Sequence, residues 1–65
     1  MKLKRNKLIK LPTALQMTSL SRATIYRLIA DGKFPKQIKL STRACAWVEK
    51  DVANWIDDCI HRTEH

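Results

Sequence analysis

The segment Leu20–Ile29, LSRATIYRLI, sets Arg22 and Arg27 among small and aromatic residues, with Ser21 just ahead of them. On a helix advancing about 100° per residue, Ala23, Arg27 and Ala30 share one face, flanked by Tyr26. Ile25, Leu28 and Ile29 share the opposite face. Solvent-facing helices usually carry long charged residues outside; two alanines around one arginine suit a face that approaches another surface closely. The chemistry on offer is nucleic-acid recognition. Arg27 can fork onto O6 and N7 of a guanine in the major groove, a contact worth about 1–3 kcal/mol of discrimination. Arg22, at the helix start, suits a phosphate or an adjacent base. Ser21 and Thr24 reinforce it, because free N–H groups at a helix N-terminus attract phosphate. Ser21 is equally placed to cap the helix by accepting from an N–H near Thr24. Ala23 permits close approach and contact with a thymine methyl. Tyr26 has two readings: its ring packs on a neighbouring element while its hydroxyl reaches a phosphate, or it only packs.

A second basic set follows. Lys33, Lys36, Lys39 and Arg43 bracket a short segment whose tip is Ser41-Thr42-Arg43. Lysines are flexible point charges that set affinity rather than sequence choice. Arg43, with Thr42 beside it, is the candidate for a narrow A·T-rich minor groove. Lys2, Lys4, Arg5 and Lys7 form a basic arm that adds non-specific attraction only. Other chemistries fare worse. Cys59 and His61, with His65 one helical turn on, raise the thought of zinc, but Cys59 points to an apolar stripe and His61 away from it. Asp57 and Asp58 diverge as helix neighbours and are not an acid–base pair. No nucleophile with a matched base and no Gly-rich phosphate loop occurs. The chain reads as no enzyme, with no metal and no cofactor.

The elements that must position these residues are short. Pro12 suits a first helical turn, placing one helix at about Pro12–Met17. Thr18-Ser19-Leu20-Ser21 makes a turn with Leu20 inward, and a second helix runs from about Arg22 to Asp31. Gly32, the only glycine, sits where a left-handed cap belongs, and Phe34-Pro35 stops the helix from resuming. Gln37–Leu40 and Ala44–Val48 alternate as a two-stranded hairpin with a three-residue tip. A last helix, about Glu49–His61, puts Val52, Trp55, Ile56, Cys59 and Ile60 on one stripe, while Lys50, Asn54, Asp57 and His61 face away. Trp47 and Trp55 belong to the core rather than to a stacking platform. Leu8–Leu11 is either a brief strand or an extended lead-in. The order helix, turn, helix, hairpin, helix is a winged helix-turn-helix: mainly α, with a small β-hairpin. Its domain spans residues 8–62, with the arm at 1–7 mobile to about Asn6 and a tail at 63–65.

Composition agrees with a polyanionic partner. Sixty-five residues make one domain, which buries only about 60% of its unfolded surface. The net charge is +7, unevenly spread. Residues 1–43 hold eleven basic side chains and one acidic; residues 44–65 hold two basic and five acidic. One pole faces a polyanion and the other does not. No stretch approaches the roughly 18 apolar residues of a membrane span, and no signal peptide is evident. Cys45 and Cys59 are too few and too widely spaced for a disulfide scaffold, so a reduced, cytoplasmic setting fits.

From Leu8 to Ile60, LIKLPTALQMTSLSRATIYRLIADGKFPKQIKL…ACAWVEKDVANWI resembles the AlpA family of small phage and prophage regulators, relatives of winged-helix excisionases and of the MerR-type DNA-binding head. SLSRATIYRLI, DGKFPK and the Trp47…Trp55-Ile56 pair carry most of the likeness. Two positions depart. Ser19 stands where the family commonly has Gly and serves if the backbone there is not strongly left-handed; the tip lacks the usual Gly or Pro. The resemblance implies a prophage-encoded transcriptional regulator that binds double-stranded DNA; the residues read above as its contacts are Ser21, Arg22, Ala23, Thr24, Tyr26, Arg27, Lys33, Lys36, Lys39, Thr42 and Arg43. It implies action on an integrase or excision region, in a bacterial cytoplasm and on the nucleoid, with adjacent copies of itself or transcription or recombination machinery as further partners. The alternatives are an excisionase-like factor that bends attachment-site DNA, and a protein-interaction module that inhibits a regulator. RNA is the weaker rival, because no aromatic platform is exposed.

Overall fold

The computed structural model describes residues 7–63. In chain order the elements are β1 (Leu8–Ile9), α1 (Leu11–Thr18), α2 (Arg22–Ala30), β2 (Ile38–Ser41), β3 (Ala44–Val48) and α3 (Glu49–Thr63). They form three helices and a three-stranded antiparallel sheet, a small helix-turn-helix-type domain. The basic arm, apart from Lys7, lies outside the described residues, as does His65.

Leu8-Ile9 is a strand. It joins the hairpin through the pairs Leu8↔Val48 and Ile9↔Trp47, giving the order β1-β3-β2. The Glu49 N–H extends the ladder by donating to the Lys7 carbonyl at 2.7 Å. β3 is therefore the central strand, and the sheet is larger than a bare hairpin.

Core residues come from every layer: Ile9, Ala14, Ile25, Phe34, Trp47 and Val52 are buried together. Ala14, fully buried, lets α1 approach its neighbours closely. Phe34 meets Trp55 edge-on, ring centres 4.9 Å apart and planes at 65°, and meets Trp47 at 6.1 Å and 83°. Such pairs contribute about 0.5–1.5 kcal/mol each beyond their burial. Both indoles also hold the loop that carries Phe34. Trp47 Nε1–H donates to the Pro35 carbonyl at 2.9 Å, and Trp55 Nε1–H to the Lys33 carbonyl at 2.7 Å. Trp47 is fully buried in the core, and Trp55 is half-buried and packs against it.

The turn between α1 and α2 depends on a strained residue and a hydroxyl. Ser19 caps α1 at φ 63, ψ 20, within the left-handed region, so the expectation of a backbone that is not strongly left-handed is corrected. Its N–H bonds to the Leu15 carbonyl at 2.8 Å. The Thr18 hydroxyl donates to the Ala14 carbonyl at 2.9 Å and accepts from the Leu20 N–H at 3.2 Å. Leu20 thereby packs against the core, as its inward placement required.

α2 ends at Ala30, and Asp31 is its cap rather than its last residue. Gly32 takes φ 73; its N–H reaches the Ile29 carbonyl and the Lys33 N–H the Leu28 carbonyl. That double bond pattern is the Schellman motif, which needs a left-handed residue at this position.

Three further details differ from the sequence reading. Ser41 pairs with Ala44, so the hairpin tip narrows to Thr42-Arg43, with a register shift between Lys39 and Ser41. Neither tip residue has positive φ, so the turn lacks the primed geometry that matches strand twist, and the irregularity at Leu40 absorbs the mismatch. All four residues of β2 are exposed, because this edge strand has no layer covering it. α3 runs on to Thr63, and Ile60 is 49% exposed, since the last turn projects past the core.

Candidate nucleic-acid interface

Ser21 is the N-cap of α2, with extended backbone and its Oγ accepting from the Thr24 N–H at 3.2 Å. The two hydroxyls, Ser21 Oγ and Thr24 Oγ1, are 2.9 Å apart and hydrogen-bond each other. Capping is therefore the geometry seen for Ser21, and Thr24 is half-buried against it. Beyond the cap, Arg22, Ala23, Tyr26, Arg27 and Ala30 are all exposed, while Ile25 is fully buried beneath them. The helix thus turns its apolar face to the core and a small, basic face outward.

Tyr26 is 40% exposed, and its hydroxyl accepts from Gln37 Nε2 at 3.3 Å. Gln37 leads into β2, so this bond ties α2 to the hairpin. The hydroxyl keeps its own proton free to donate outward. The bond to Gln37 places Tyr26 beside the hairpin, as both readings of it required.

A groove of about 490 Å³ opens between α2 and the hairpin. Arg22, Tyr26 and Arg43 line it, joined by Lys10 and Gln37, and among the described residues no carboxylate does. Lys33 and Lys36 are not part of this set. They line a larger groove, about 1090 Å³, against α3, whose wall adds Asp51 and Asp58. Mixed charge makes that groove the poorer anion site despite its size, while Lys33 and Lys36 are themselves exposed. Lys39 is exposed on β2 opposite Cys45, and Thr42 is exposed in the turn. On α3, His61 Nδ1–H donates to the Asp57 carbonyl at 2.8 Å, and Arg62 Nη2 donates to Cys59 Sγ at 3.1 Å. Among the described residues no three His, Cys, Asp or Glu side chains gather as a metal set, and no helix is long and apolar enough to cross a membrane.

Lys10 and Gln37 were not among the residues the sequence singled out. Gln37 left no signal beyond its place in an alternating segment. Lys10 left only its charge: with the helix read from Pro12 the cap falls on Leu11, and it is the structure that makes Lys10 the N-cap.

Residues 7–60, which hold every element but the last turn of α3, match the family model described as Prophage CP4-57 regulatory protein (AlpA). The chain belongs to the AlpA family. Within it, the chain is 30% identical over 56 residues to the DNA-binding transcriptional activator AlpA of Escherichia coli strain K12, covering 77% of this chain and 80% of that protein. It is 38% identical over 48 residues to a protein of enterobacteria phage P4 named uncharacterized protein ORF88. That match covers 74% of this chain, which spans only 54% of the phage P4 protein. The AlpA match takes in the capped α2, the Schellman turn and the hairpin together.

Proposed function

We propose that this AlpA-family chain is a sequence-specific regulator of transcription that binds double-stranded DNA as a winged helix-turn-helix. α2 enters the major groove, and the β2–β3 hairpin is the wing, its Thr42-Arg43 turn reaching the adjacent minor groove or backbone. Arg27 and Ala23 select sequence; Arg22 docks on phosphate, with Ser21 and Thr24 holding the helix terminus in place. Tyr26 sets the angle between helix and wing, and Lys33, Lys36 and Lys39 add backbone attraction, as does the N-terminal arm. The observation that carries this reading is the exposed face of α2, small and basic above a fully buried Ile25. The E. coli relative, described as a DNA-binding transcriptional activator, supports it. The site of action is a prophage integrase or excision region in the bacterial cytoplasm. Occupancy there recruits transcription machinery or, in an excisionase-like role, bends attachment-site DNA, with adjacent copies on repeated sites supplying specificity that one small domain lacks.

A footprint and mobility-shift survey of the surrounding genomic region tests it, with Arg27→Ala as the control. A protected site whose affinity and base preference collapse in Arg27→Ala is the expected result, with a loss of about 1–3 kcal/mol at one base pair. If regulation survives Arg27→Ala intact but fails on substitution of Asn54, Asp57 and Asp58, the chain acts instead by contacting a protein.

A further inference from the structure

Lys10, Arg22 and Arg43 belong to three separate elements: the N-cap of α1, the first residue of α2, and the turn between β2 and β3. The fold brings all three to the rim of the one 490 Å³ groove. Between the cations the groove offers some apolar surface, from Pro12 and Ala44. Three like charges around one concavity, with no carboxylate among the described residues that wall it, repel one another until an anion enters.

The two helix starts carry the same message. A cation at a helix N-terminus opposes the macrodipole, and lysine is a poor N-cap. Lys10 makes no side-chain capping bond, and neither α1 nor α2 has an acidic residue in its first turn. α3, away from this groove, has Glu49 and Asp51 there. The two helices that open onto the groove thus forgo a stabilisation that the third one uses. Residues that lower local stability without structural return are the mark of a binding site.

We infer that this groove seats one sugar–phosphate unit of a DNA strand, with Lys10 as a phosphate ligand. The inference rests on the DNA-binding reading above and sharpens it: Arg22 and Arg43 grip the same stretch of backbone rather than two separate grooves. The deoxyribose lies against Pro12 and Ala44, and the phosphate oxygens meet the cations. The Tyr26 hydroxyl, already accepting from Gln37, donates its proton to the same phosphate. Phosphate contacts of this kind fix register and carry no sequence information.

Lys10→Ser separates this role from a structural one. Serine supplies the missing cap, so the variant melts about 4–8 °C higher than wild type. It also binds duplex more weakly, by the same factor on every sequence, with the log–log salt slope reduced by about 1. A scan of single methylphosphonates along the footprinted duplex then locates the contact. One and the same neutral linkage weakens the wild-type chain most and costs Lys10→Ser and Arg43→Gln measurably less, since each variant has already lost one contact to it. Unchanged affinity and slope in Lys10→Ser, or coupling of Lys10 and Arg43 to distant linkages, overturns the inference while leaving DNA binding in place. A wild-type chain that protects no duplex overturns both. Saturable competition by inorganic phosphate, with no linkage singled out by the scan, assigns the groove to a free anion and likewise overturns it.

Discussion

Ser21 and Arg27 stand less than two helical turns apart, yet substitution should affect them in opposite ways. The Ser21 hydroxyl is engaged with both the N–H and the hydroxyl of Thr24, so its loss leaves a helix-terminal donor without its partner. Ser21→Ala should lower stability by about 1 kcal/mol and leave base preference as it was; thermal melting and a binding-site selection read the two effects apart. Arg27 is exposed, so Arg27→Ala should leave stability within the range of ordinary surface changes, about ±0.5 kcal/mol. A shift in preference for Ser21→Ala, or a large drop in stability for Arg27→Ala, would reverse these assignments. Lys10 shows why residue type alone was insufficient. Its charge could be read from the sequence, but its company could not, because Arg22 and Arg43 reach it only through tertiary packing.

The turn that joins α1 to α2 is the element where the chain carries its most visible strain. An L-residue in the left-handed region costs roughly 1–2 kcal/mol, and Ser19 sits there at φ 63. Glycine removes that cost but has more unfolded-state freedom to lose, about 0.4–1 kcal/mol. The first effect is the larger, so Ser19→Gly should stabilise the domain by up to about 1 kcal/mol, measurable as a raised midpoint in urea; a lowered midpoint would show that serine's side chain supplies more than its backbone costs. Thr18→Val should act the other way, by about 1–3 kcal/mol, because the Leu20 N–H loses its acceptor in a part-buried turn. Around this turn, Ser21, Gly32 and Pro12 announce their positions through cap and turn chemistry that is local, whereas the left-handed backbone at Ser19 was not read from its residue type. Part of what was not legible depends on partners far along the chain. The pairing of β1 needs β3 from the far part of the chain; the register shift at Leu40 and the Thr42-Arg43 tip come instead from turn geometry that residue type did not announce. Ile60 was misplaced for the complementary reason: helical periodicity continues to the end of α3, but the core beneath it does not.

At the scale of the whole molecule, the domain is a flattened body of 38 × 33 × 20 Å whose cations lie mainly ahead of residue 44. Docking that pole on a duplex and neutralising about five phosphates should give a log–log salt slope near −4 to −5; a slope near −1 would mean that the basic pole is not the contact surface. The sheet order has a consequence for how the protein comes into being. β1 is the first described element, yet its only partners are Trp47 and Val48, and Trp47 is also the largest fully buried side chain. During synthesis, α1 and α2 emerge with nothing beneath them until β3 follows, and Ile9 has no site to occupy before then. Non-local pairing of this kind delays folding until the distant strand is available. A premature stop anywhere before Trp47 therefore yields no half-active reader helix. It yields an unfolded peptide for proteases, so the gene should lose all function at once rather than by degrees.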